Sequence, residues 1–220
     1  MNRRTFGLSV ATAVTAVPGF AQRRSSGLPE AAQAPPLANS DGEKRILAVI
    51  DEARKAKDVY LEVPDVDGRM LRVLTETANA KQVVEFGTST GYSGLWCSLA
   101  LQKTGGKLTT FELDGGRAAR ARKHFEQAGV SSLVRVIEGD AHKNLQQIKG
   151  PVDVVFIDAE KEGYAEYLKA VVQLVRPGGL ILAHNIDMVA DYVKAVTSDP
   201  NLETVFYMHG GGLGITVKKH

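Results

Sequence analysis

The chain has 220 residues, 44% of them hydrophobic and 24% charged, with a formal net charge of +2. These values suit one globular unit with a full core, and the small, scattered charge argues against a basic surface for nucleic acid or a membrane. A single cysteine, Cys97, excludes a disulfide framework and a Cys-based zinc site within one chain. Cys97 lies in an apolar helical run and reads as a buried structural thiol.

The first elements belong to a leader. Arg3-Arg4 precedes an apolar run from Phe6 to Val17, followed by Pro18-Gly19-Phe20-Ala21. A charged start, a short apolar stretch and small residues read as a signal peptide over 1–21. The run is too short for a stable membrane span. Arg3-Arg4 with Phe6 resembles a twin-arginine export signal, although Gly7 stands where that signal has a hydrophobic residue. Residues 22–42, rich in Ser, Pro, Ala, Gly and Gln, read as a flexible linker.

From residue 43 to 220 the pattern becomes regular. Ile46, Leu47, Ile50 and Ala53 fall at helical spacing. Residues 63–68, with Pro64 and Gly68, read as a loop, and Met70 opens a second helix. Five strands are expected at 83–86, 108–111, 134–137, 152–157 and 180–183. Helices are expected at 95–101, 117–128, 164–175 and 189–198. Apart from Asp153, the run 152–157 is apolar, as a buried parallel strand requires. Two further strands, 204–208 and 214–218, flank the turn Gly210-Gly211-Gly212. This alternation predicts an α/β fold with a doubly wound, mostly parallel seven-stranded sheet. Helices cover both faces, and an antiparallel hairpin ends the chain. Right-handed crossovers bring the strand C-terminal ends to one edge, where ligands bind. Glu85, Glu112, Asp140, Asp158 and His184-Asn185 all fall at such ends.

The first of these ends selects among cofactors. The stretch Glu85-Phe86-Gly87-Thr88-Ser89-Thr90-Gly91-Tyr92-Ser93-Gly94 lets the backbone approach a ligand closely. Its glycine spacing departs from the dinucleotide fingerprint, and Glu85 would repel a pyrophosphate. A sulfonium carrying an amino-acid tail is positive at sulfur and amine, so a carboxylate suits it. Glu112 is placed to accept from two ribose hydroxyls, a role that nicotinamide enzymes share. Together these features favour S-adenosylmethionine. A short-chain reductase would need a Tyr-x3-Lys pair, and neither Tyr164 nor Tyr167 has one.

Five segments in order then resemble the catechol and caffeoyl-CoA O-methyltransferase family of class I methyltransferases. They are Val84–Ser93, Phe111-Glu112-Leu113-Asp114, Glu138-Gly139-Asp140-Ala141, Phe156-Ile157-Asp158-Ala159-Glu160-Lys161 and Pro177-Gly178-Gly179. The resemblance implies methyl transfer from S-adenosylmethionine to a hydroxyl of a small phenolic or catechol-like acceptor. It implies that Val63 touches the methionine part and Glu85 the amino end, with Gly87, Ser89 and Ser93 along the same segment. Glu112 would hold the ribose, and Asp140, Ala141 and His142 would flank the adenine. Asp158 would lie near the methionine amine and the metal, and Lys161 matches the family's catalytic lysine. A homodimer through the N-terminal helix is also an expectation from relatives.

The family's metal site consists of two aspartates and an asparagine. Asp158 and Asn185 match it, whereas His184 stands where an aspartate belongs. Oxygen ligands suit magnesium or calcium, and imidazole suits transition metals. Two outcomes stay open: a divalent site with a changed metal, or a site without metal in which the His184 imidazole serves as base or hydrogen-bond donor. Two other functions also stay open, N- or S-methylation without metal and a cofactor-binding module that has lost catalysis. The leader points to export into the periplasm, whereas the methyl donor is made in the cytoplasm. Among the remaining residues, Trp96 reads as core, Asp114 as a helix start, His124 as solvated and His209 as a turn residue.

Overall fold

The computed structural model describes residues 34–55 and 62–220. The expected leader lies outside the described residues. Residues 38–220 form one compact unit. Its helices are α1 (Asp41–Lys55), α2 (Asp65–Thr77), α3 (Tyr92–Thr104), α4 (Gly115–Gln127), α5 (Ala141–Asn144), α6 (Tyr164–Val171) and α7 (Ala190–Ser198). Its strands are β1 (Gln82–Phe86), β2 (Lys107–Glu112), β3 (Val134–Glu138), β4 (Val152–Ile157), β5 (Val175–His184), β6 (Leu202–Tyr207) and β7 (Leu213–Lys218).

The seven strands form one sheet in the order β3-β2-β1-β4-β5-β7-β6. The first five pair in parallel, and β7 runs antiparallel to both β5 and β6. Successive strand residues point to opposite faces, so each central strand feeds two cores. Val83, Leu108, Val154 and Phe156 pack with Ile46, Leu71, Leu95 and Phe125 from α1 to α4. Val84, Phe111, Val155 and Ile157 pack on the other face with Tyr164, Tyr167 and Leu168 of α6 and Tyr192 of α7. Burial on both faces explains why β4 has no polar alternation. Among the described residues no helix is long and apolar enough to cross a membrane.

Three expectations about elements change. Residues 65–68 are not loop but the first turn of α2, with Pro64 at its N-cap position. Proline is well suited to a helix start, and Gly68 is required there by packing. A Cβ on Gly68 would lie 2.4 Å from the Trp96 ring. The segment from Val172 to Gly179 also differs, because α6 stops at Val171 and β5 already begins at Val175. Val175 pairs with Val152, and the register then shifts before Leu180 meets Val154. An irregular strand start of this kind has no clean two-residue period to read. The expected linker likewise ends early, since α1 starts at Asp41. The Ser40 hydroxyl accepts from Glu43 N at 3.2 Å.

Candidate active site

The chain order of the sheet reverses between β1 and β4, the place where open α/β sheets bind ligands. A cavity of about 800 Å³ opens there. Gly87 leaves β1 with φ +94, and a Cβ on it would lie 2.0 Å from the Asp158 carbonyl oxygen. Only glycine allows the two chain segments to pass so closely. The loop then turns into α3 through Gly91, also in the left-handed region. Val63, Gly87, Ser89 and Ser93 line this part of the cavity.

Glu112 closes the end of β2 and is 5% exposed. Its Oε2 accepts from Ser89 N at 2.7 Å, and its Oε1 accepts from Asp114 N and Arg117 Nε, each at 2.9 Å. The carboxylate therefore ties the glycine loop to the start of α4, where Asp114 caps the helix by accepting from Arg117 N. Further along the same edge, Asp140 caps α5 by accepting from His142 N at 2.9 Å. Asp140 and Ala141 reach the cavity.

At the other end of the cavity stand Asp158, Lys161, His184 and Asn185. Lys161 Nζ donates to Asp158 Oδ1 at 3.1 Å and to the Tyr164 hydroxyl at 2.8 Å. Tyr164 in turn donates to the His184 carbonyl at 3.0 Å. Burial and the neighbouring Asp158 carboxylate raise the Tyr164 pKa far above its ordinary value, which keeps the phenol neutral. The His184 ring lies between two carboxylates. Nε2 donates to Asp67 Oδ2 at 3.0 Å. Nδ1 lies 3.2 Å from Asp158 Oδ2, as a charge contact rather than an aligned hydrogen bond. Burial by itself favours the neutral ring, but Asp158 and Asp67 outweigh it and raise the pKa to about 9. Asn185 sits in the left-handed region with φ 52, and its Nδ2 donates weakly to Gly211 O at 3.4 Å.

This arrangement can be set beside known proteins. A family model described as O-methyltransferase matches residues 38–209. The chain belongs to that O-methyltransferase family. Among relatives, a catechol O-methyltransferase of Niastella koreensis is 38% identical over 145 residues, covering 64% of this chain and 65% of its own. A catechol O-methyltransferase of Mycobacterium tuberculosis is 34% identical over 147 residues, covering 66% of each. The chain thus spans slightly under two thirds of the length of these relatives. An O-methyltransferase from Bacillus cereus, solved in complex with SAH, shares the fold with a TM-score of 0.72. It is 23% identical, over 86% of this chain and 96% of that one.

Within this site, two residues expected at the cofactor stand back from the cavity. Glu85 is fully buried, and its oxygens accept from the Ser93 hydroxyl at 2.5 Å and the Thr110 hydroxyl at 2.6 Å. Ser93 lies between the carboxylate and the cavity. His142 is held between Glu160 at 3.0 Å and Glu166 at 3.2 Å and does not line the cavity. Its ring stacks 4.4 Å from Tyr167, which stacks 4.3 Å from Phe86 on its other side. Tyr167 lines the cavity.

The sequence reading missed Tyr167, Arg117 and Asp67. Tyr167 and Arg117 occupy ordinary helix positions, and only the docking of α6 and α4 brings them to the cavity. Asp67 fell in the segment read as loop. An acidic residue three positions after Pro64, in the first turn, carries a helix-start signal, but nothing local pairs it with a histidine over a hundred positions later. His124, expected to be solvated, is 6% exposed, and its Nδ1 lies 2.9 Å from the Thr90 carbonyl. Trp96 is core as expected, at 2% exposure.

Proposed function

We propose that this protein transfers a methyl group from S-adenosylmethionine to a hydroxyl of a small phenolic or catechol-like acceptor. The observation that carries this reading is one continuous cavity. It joins Glu112 and Ala141 at one end to Asp158, Lys161 and His184 at the other. Methyl transfer is an in-line displacement on a sulfonium, so alignment of the attacking oxygen is the first requirement. Gly87, Ser89, Ser93 and Glu112 hold the cofactor along the loop. Asp158, at the crevice between β1 and β4, faces the cofactor's amine and sulfonium end. Lys161 stands beside it and, in its uncharged amine form, takes up the acceptor's hydroxyl proton to become the ammonium.

A divalent cation bound by Asp158, His184 and Asn185 would polarise the acceptor oxygens. Nε2 of His184 is held by Asp67, the kind of partner that orients a ligating imidazole, so His184 would meet the ion through Nδ1, which has no hydrogen-bond partner and lies 3.2 Å from Asp158 Oδ2.

Calorimetry with S-adenosylmethionine, followed by transfer of labelled methyl to a panel of catechols, tests the proposal. Lys161→Ala is expected to keep cofactor affinity and to lower kcat by about a hundredfold or more. Tight cofactor binding with no transfer to any hydroxyl acceptor would reject O-methylation.

A further inference from the structure

We infer that the site selects a first-row transition ion over magnesium, and that Asp67 makes it do so by holding the His184 ring as a ligand. The inference rests on the reading of Asp158, His184 and Asn185 as ion ligands given above. His184 stands where the family's metal site has an aspartate, so one nitrogen replaces one oxygen among the donors. Imidazole favours zinc, cobalt, nickel and iron, whereas magnesium prefers oxygen throughout. A histidine in the right place is not enough, because a misaligned ring cannot ligate. The surroundings of His184 hold it in one orientation.

Asp67, in the first turn of α2, is completely buried. A carboxylate at that depth is unfavourable unless it is hydrogen-bonded. Its Oδ2 accepts from His184 Nε2 at 3.0 Å and from Gly211 N at 2.8 Å. Three parts of the fold, α2, the end of β5 and the β6–β7 turn, meet on that one oxygen. Packing alone does not ask for an acid there, since an apolar residue would fill the space without the desolvation cost. A carboxylate behind one ring nitrogen orients a ligating histidine and strengthens the other nitrogen as a donor. With Nε2 turned to Asp67, Nδ1 faces Asp158. Nδ1 is buried without a hydrogen-bond partner. Buried polar atoms are nearly always paired, and a cation satisfies this one. Nδ1 lies 3.2 Å from Asp158 Oδ2. Two donors about 2.1 Å from a common ion stand about 3.0–3.4 Å apart at octahedral or tetrahedral angles, so the observed separation suits a shared ion. Asp67 itself does not line the cavity. It acts through His184 and is a positioning residue.

The full chain, stripped with chelator and shown metal-free by elemental analysis, tests this without turnover. Calorimetric titration is expected to show cobalt(II) binding and, far more weakly, magnesium binding, each ion displacing the other. In His184→Asp the ratio of cobalt to magnesium affinity is expected to fall about tenfold or more. The change in ratio is the readout, because transition ions bind most donor sets tightly. Cobalt-loaded wild type is expected to show a hyperfine-shifted, exchangeable proton NMR signal from His184 Nε2–H that is missing in His184→Asn. Asp67→Asn keeps the shape and removes the charge. It is expected to lower cobalt affinity about tenfold to a hundredfold and to broaden that proton signal through faster exchange.

An affinity ratio that is the same in wild type and His184→Asp would overturn the inference. So would cobalt binding that persists unchanged in His184→Asn, which would mark an adventitious ion only. An Asp67→Asn protein with unchanged cobalt affinity and an unchanged proton signal would overturn the role of Asp67. If neither ion binds the wild type, the ligand reading fails and this inference with it. If cobalt binds as expected and no acceptor is methylated, the O-methylation reading alone fails. Where His184→Asp does not fold, the proton signal of the cobalt-loaded wild type and the Asp67→Asn titration decide.

Discussion

Glu85 is fully buried, and burial is the main reason that its pKa rises to about 7, with Asp158 and Glu112 adding to the rise against the bonds from Ser93 and Thr110. A carboxyl group whose folded pKa lies above its unfolded value of about 4.5 holds its proton longer in the native state. As pH climbs from the unfolded value toward 7 the native state binds more protons than the unfolded one, so stability falls across that window and levels off above it. Denaturant unfolding of cofactor-free protein at a series of pH values is expected to show this decline. Glu85→Gln should flatten it, and parallel curves for the two proteins would contradict the assignment. At the same scale, the sequence reading had assigned Glu85 to direct contact with the cofactor's amine. The residue's strand-end position was legible, but the two hydroxyls that cover it come from α3 and β2, and no local pattern announces them.

At the scale of elements, α4 supports the glycine loop from behind. Phe125 approaches Gly91 and Gly94 closely enough that a Cβ on either would lie 2.8 Å from its ring. His124, the preceding residue, holds the Thr90 carbonyl. A buried carbonyl that loses its partner costs about 1–3 kcal/mol. His124→Ala is therefore expected to destabilise the protein by about that amount and to weaken S-adenosylmethionine binding, both measurable by thermal unfolding and calorimetry. Unchanged cofactor affinity would show that the loop holds its shape without α4. His124 looked solvated because it lies among the charges of α4. The neighbours along a helix identify its polar face, but they do not reveal which residue at the edge of that face turns inward.

Across the whole molecule, the cavity is made by no single segment. It draws on the ends of β1, β2, β3, β4 and β5, and on the turn leading into α2. A ligand that spans those ends binds only the folded chain. S-adenosylmethionine at about a hundred times its dissociation constant is expected to raise the unfolding free energy by about 2.7 kcal/mol. Glu112→Ala, which unties the loop from α4 and removes the proposed ribose partner, should abolish most of that increase. A thermal shift equal in wild type and variant would mean that the cofactor sits elsewhere.

The sequence by itself determined the sheet, its parallel core, the closing hairpin and the loop from Glu85 to Gly94. These follow from hydrophobic period, continuous apolar runs such as Val154–Ile157, and glycine placement, which act between residues close in the chain. The five motifs also located the cavity's edge, because a parallel α/β sheet puts every strand end on one side. The tertiary structure alone decided what meets at that edge. It placed Ser93 in front of Glu85, stacked Tyr167 on His142, and paired His184 with Asp67 across the fold. Burial and charge pairing set these contacts, and both depend on which distant elements dock together, a property that no local spacing encodes.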